Sequence, residues 1–93
     1  MTKNGNYLSI MKGIMEAPID MLWSGGHFPE KYYNSTSTMI MRMIYRVGAS
    51  MGIKTVGEAI QLKLENLPKG FGKGTFECLQ MTIDNFVSHR FNN

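Results

Sequence analysis

The stretch from Gly52 to Leu79, GIKTVGEAIQLKLENLPKGFGKGTFECL, constrains this chain more than any other. Its first part, Thr55-Val56-Gly57-Glu58, has the form of a capping box. The Thr55 hydroxyl can accept from the Glu58 N–H, and the Glu58 carboxylate can reach back to the Thr55 N–H. A short helix carrying Ala59, Ile60 and Leu62 is expected to start there. Its second part, Leu67-Pro68-Lys69-Gly70-Phe71-Gly72-Lys73-Gly74, reads as a tight glycine turn feeding an apolar-periodic run that begins at Phe76. Phe71 would pin the turn, while Gly70 and Gly72 permit positive φ and leave backbone N–H groups uncovered. Those N–H groups would sit at a helix N-terminus, where the macrodipole favours an anion. Helix, glycine hairpin and helix, with lysine inside the hairpin, is an arrangement suited to gripping phosphate.

Every other apolar pattern in the chain also has helical spacing, and the breaks are Gly or Pro. The fold class expected is therefore all-α, a compact domain of about four or five helices with no sheet. Ninety-three residues make a single domain, 1–93, with one modest core. Residues 1–37 read as an N-terminal helical extension and loop, and 38–88 as the helix-hairpin-helix core. From Tyr7, the residues Leu8, Met11, Ile14 and Met15 fall at helical spacing, with Asn6 as N-cap and a frayed, polar stretch ahead of it. Pro18 then suits the first turn of a second short helix, with Ile19, Leu22 and Trp23 on its apolar side and Ser24-Gly25-Gly26 ending it. His27 to Ser37 reads as a loop whose Phe28, Tyr32 and Tyr33 can either cover a core edge or stack on bases.

Ser37 or Thr38 should cap a helix from Met39 to about Ser50, with Ile40, Met43, Ile44 and Val47 as its apolar stripe. Arg42 and Arg46 lie one turn apart on its polar side, where they can meet a phosphate backbone. Leu64 and Leu67 suggest one further turn before Pro68. A last helix, roughly Lys73 to Ser88, turns Phe76, Leu79, Ile83, Phe86 and Val87 inward, with Cys78 beside that stripe. The core expected from these patterns includes Ile40, Ile44, Val47, Ile53, Val56, Ile60, Leu67, Phe71, Phe76, Leu79 and Ile83.

Charge is unevenly spread. Between Met39 and Thr75 stand six basic residues against two acidic ones, whereas the rest of the chain has four basic and five acidic. A nucleic-acid contact face would produce that excess, and so would ordinary solvated helix faces. No apolar run approaches the ~20 residues of a transmembrane helix, and no signal peptide is recognisable. The single cysteine, Cys78, forms no internal disulfide framework and fits a reducing compartment. A cytoplasmic protein is expected.

Catalytic chemistry finds little footing. His27 and His89 neighbour no Ser, Cys or carboxylate in a nucleophile or zinc spacing. GFGKGT lacks the spacing of a Walker motif and follows no strand. Met39, Met41 and Met43 alternate as soft-metal ligands can, but a helix would spread them around its circumference. The expectation is a non-enzymatic binding module with no cofactor, no metal, no membrane and no small-molecule substrate.

GIKTVGEAIQL followed by GFGKGTFECL resembles the C-terminal domain of the bacterial RNA polymerase alpha subunit, over roughly Thr38 to Phe86. That family is a compact, SAM-like helical domain built around a helix-hairpin-helix, and it contacts DNA. The resemblance implies double-stranded DNA as partner and a role in transcription or its regulation. The family's groove-reading arginine falls on Met43 here and its asparagine on Arg46. Arg42 stands one residue from the arginine position, about 100° around a helix. In the hairpin, Gly72 and Thr75 match the family's glycine and serine, while Gly74 takes the lysine position with Lys73 just before it. The DNA-binding residues expected are Arg42, Arg46, Lys69, Gly70, Gly72, Lys73, Gly74 and Thr75. The alternative is a domain that docks on RNA polymerase or a transcription factor without binding DNA, as a phage- or mobile-element-type regulator would.

Overall fold

The computed structural model of the protein describes residues 3–24, 26–30, 44–67 and 72–92. These residues are mostly helical, and no strand occurs among them. In chain order they form α1 (Lys3–Glu16), α2 (Asp20–Ser24), a π-type helix (Ile44–Ser50), α3 (Val56–Ile60), a 3-10 turn (Leu64–Asn66) and α4 (Lys73–Asn92). The hairpin residues Pro68–Phe71 lie outside the described residues, as does the first part of the expected Met39–Ser50 helix, residues 39–43.

α1 begins at Lys3, one turn ahead of the start expected at Tyr7, so Asn6 lies inside it rather than capping it. Extending an existing helix by a polar turn is cheap compared with nucleating one. Its buried stripe also differs from the expected one. Ile14 is buried and Ile10 and Met11 pack against the core, but Leu8 is 67% exposed. Leu8 stands six residues before Ile14, about 120° around the helix, and cannot share its face.

Pro18 lies outside α2, not in its first turn. It sits in an isolated antiparallel bridge with Thr55. The Ile19 N–H donates to the Lys54 carbonyl and the Val56 N–H donates to the Ala17 carbonyl, both at 2.9 Å. Pro18 occupies the position between those bonds, where its missing N–H costs nothing. This joint ties the α1–α2 connection to the entrance of α3.

The capping box that opens α3 is complete. The Glu58 N–H donates to Thr55 Oγ1 at 3.1 Å, and the Thr55 N–H donates to Glu58 Oε1 at 3.0 Å. The Lys54 N–H donates to the same carboxylate oxygen at 2.9 Å. These donors hold the Glu58 carboxyl below its ordinary pKa, the Lys54 N–H contributing most and the Thr55 N–H next. α3 ends at Ile60, short of Leu62, and Gln61 closes it with a bond from its N–H to the Glu58 carbonyl. Ile60, expected in the core, is 40% exposed, whereas Val56 and Ala59 are buried. The capped turn aims one face of this short helix at α1 and α4, and Ile60 falls off that face.

Ile44–Ser50 is wound as a π-type helix rather than an α-helix, with Val47 fully buried. The wider winding coincides with Gly48, whose low helix propensity weakens an α-helical ladder. Gly52, at φ 69°, then makes the sharp bend into Ile53. α4 is the longest element and runs past Ser88 to Asn92. Leu79, Ile83 and Phe86 are buried along it, as expected, and Cys78 is fully buried. Thr82 is buried too, its hydroxyl donating to the Cys78 carbonyl at 2.7 Å.

One hydrophobic cluster collects these faces. Ile14, Ile19, Leu22 and Phe28 enter it from the first third of the chain, and Val56, Ala59, Leu79 and Phe86 from the second half. Of the remaining residues expected in that core, Ile53, Leu67 and Phe76 pack at its margin. Ile40, Phe71 and the Ile44 side chain lie outside what is described.

Candidate functional site

The start of α4 is where the phosphate-gripping residues were expected. Gly72 is its N-cap, because the Phe76 N–H donates to the Gly72 carbonyl at 3.0 Å. The N–H groups of Lys73, Gly74 and Thr75 therefore belong to the unpaired first turn of a helix. Gly72 has no side-chain oxygen to accept from them, and the first turn contains no acidic residue. Gly72, Lys73 and Gly74 are all exposed. A Cβ added at either glycine would meet nothing within 4 Å.

Two details differ from the expectation. Gly72 does not have the positive φ that the glycine-turn reading assigned to it; positive φ occurs at Gly26 and Gly52 among the described residues. An N-cap residue takes extended backbone angles, which explains the difference. Thr75 is only 4% exposed, so its hydroxyl is turned away from an outside ligand. Of the other residues expected to contact DNA, Arg46 lies in the π-type helix with its side chain outside the description, and Arg42, Lys69 and Gly70 fall outside the described residues altogether.

No protein-family model, curated protein or solved structure matches this chain. Among the described residues, no group of three or more His, Cys, Asp or Glu is placed to hold a metal ion. No helix among them is long and apolar enough to cross a membrane.

The structure also assembles a cluster that sequence spacing did not suggest. His27, from the loop after α2, lies against the last turns of α4. The Asn85 amide donates to the His27 carbonyl at 2.8 Å, which fixes the loop on the helix. The His27 ring meets Phe86 edge-on at 5.2 Å between centroids and His89 at 5.7 Å. The Arg90 guanidinium lies 4.8 Å from the Phe86 ring centroid and donates to Met21 Sδ at 3.5 Å. Burial pushes the His27 pKa down, and the nearby His89 and Arg90 push it further the same way. In the sequence neither histidine stands in a nucleophile or zinc spacing with a Ser, Cys or carboxylate. Their meeting depends on the loop folding back onto α4, which local spacing does not encode.

Proposed function

We propose that this chain is a small non-enzymatic DNA-binding module that takes a backbone phosphate of double-stranded DNA at the start of α4. On this reading it is a helix-hairpin-helix domain like that of the RNA polymerase alpha subunit and works in transcription or its regulation. The observation that carries the reading is Lys73, exposed at the first position of a twenty-residue helix, between two open glycines and with no acidic residue in the turn. A cation there is unfavourable to the helix, because the positive end of the dipole repels it. A phosphate bound by the first-turn N–H groups reverses that balance and gives Lys73 a partner. Two features of the sequence support the reading: the positive excess between Met39 and Thr75, which includes Arg42 and Arg46, and the resemblance carried by TVGE and GFGKGT. DNA contact through these residues would be to the backbone and would carry little sequence information.

Lys73→Glu tests it. Duplex affinity should fall, and the slope of log affinity against log salt should lessen by about one. The melting temperature should stay level or rise, since an acidic residue suits that end of the helix. Lower thermal stability with unchanged duplex affinity would reduce the glycine segment to a structural turn. The second reading, a domain that docks on RNA polymerase or a transcription factor, is favoured by Ile60 and Leu64, which are 40% and 42% exposed on α3 and the turn after it. Polymerase co-purification without salt-dependent duplex binding would select it.

A further inference from the structure

At the far end of α4 from Lys73, a cavity of about 630 Å³ opens between α1, α2 and the last turns of α4. The helix rise places Arg90 about 25 Å from Lys73, so the two places are independent. Ile10 and Ile14 of α1, Met21 of α2 and Phe86 of α4 form its apolar walls. His27, His89 and Arg90, with Ser9 and Ser24, form its polar side, and no carboxylate lines it among the described residues. The volume is in the range of small-molecule sites, whose usual composition is apolar walls with a few convergent polar groups.

We propose that this cavity binds a small organic phosphate, its phosphate held by Arg90 with His27 and His89 and its apolar body held between Met21 and Ile10 of the α1 face. Three nitrogen-bearing side chains, His27, His89 and Arg90, converge here from two separate parts of the chain. Arg90 can give a tetrahedral anion charge-assisted hydrogen bonds, and an anion beside the His27 ring would offset the neighbouring positive charge that now disfavours its protonation. The hydrogen bond that Arg90 makes to Met21 is to a thioether, a weak acceptor that a phosphate oxygen would readily replace. Among the described side chains, the charged and titratable groups facing the site are His27 from the loop and His89 and Arg90 from α4, and α1 and α2 present none to it. Burial lowers the His27 pKa most and His89 and Arg90 lower it further, and a bound anion would oppose that lowering.

Phenyl phosphate is the probe, titrated into the intact chain by calorimetry near neutral pH. Saturable binding is expected, weakened about tenfold or more by Arg90→Gln and also weakened by His89→Gln at the exposed second position. Phenol, which lacks the anion, should not bind. Phenyl sulfate keeps a constant charge across the titration of histidine. It should therefore raise the His27 imidazole pKa, followed by NMR, toward or above its ordinary 6.5. A merely structural cluster would not show that shift. The proposal fails if phenyl phosphate does not saturate, if Arg90→Gln binds it as well as the parent chain, or if the His27 titration stays put. It also fails if Arg90→Gln lowers duplex affinity as much as Lys73→Glu does, because the cluster would then serve the DNA backbone.

Discussion

Gly57→Ala should destabilise the protein even though it replaces glycine by the best helix former in a helix. Gly57 is buried in the first turn of α3, where α1 passes directly over it. A Cβ there would stand 2.7 Å from the Met15 carbonyl oxygen and 3.3 Å from its carbonyl carbon, where ordinary contact begins at 3.4 Å. The main obstacle is backbone, so no side-chain rotation relieves it. Met15 Cε, at 3.1 Å, can move aside, but the carbonyl oxygen can retreat only if α1 shifts by about 0.7 Å, and the Ala17–Val56 bond ties α1 to α3 two residues later. Overpacking of this kind costs about 1–3 kcal/mol, against a helix-propensity gain of at most about 1 kcal/mol. The net loss is up to about 2 kcal/mol, or a melting temperature lower by up to about 15 °C for a domain of this size. The control is Gly13→Ala at the start of the last turn of α1, where an added Cβ meets nothing within 4 Å. That change should stabilise by about 0.5–1 kcal/mol. Thermal melts followed by circular dichroism, with urea titrations for the free energies, measure both. If Gly57→Ala melts at or above the parent temperature, the close approach of α1 to α3 is wrong.

Three more expectations follow from the packing and the caps. Leu22, fully buried in the one-turn α2, should cost about 2–5 kcal/mol when cut to alanine, measured by urea unfolding; a loss under about 1 kcal/mol would mean the first third does not share the core. Ile60→Ser should change stability by no more than about 0.5 kcal/mol, since Ile60 is already partly in solvent; a core-sized loss would restore it to the interior. Glu58 contributes stability that is complete above its ordinary carboxyl pKa of 4.5 and is lost as the pH falls through its lower folded value. Glu58→Gln should therefore be less stable than the parent at neutral pH, with the gap narrowing below 4.5; a gap independent of pH would show that the ionised carboxylate is not the capping group.

What could be read from the sequence was whatever depends on near neighbours. The Thr55–Glu58 box closes within one turn, so its residues alone decide it, and the structure forms it as expected. The all-helical character and the inward stripe of α4 were legible for the same reason: Leu79, Ile83 and Phe86 repeat at the helix period, and one period settles both the element and its face. Gly72 shows the limit of this, since its residue type permits positive φ but its place as an N-cap, fixed by where α4 starts, does not use it.

Contacts distant along the chain were decided by the tertiary structure alone. Pro18 looks like the start of a helix until Thr55 lies beside it, and then its lack of an N–H suits the gap in a short ladder instead. Leu8 and Ile60 are as hydrophobic as their buried neighbours, and only the placement of α1 against α3 and α4 leaves them outside. His27 and His89 are unremarkable apart, and the return of the loop onto α4, tied by Asn85, sets their rings 5.7 Å apart and creates a property neither residue has by itself. The physical reason is one of range: a cap or a helical stripe is specified by angles within a turn or two, whereas burial and charge clustering depend on which surfaces meet.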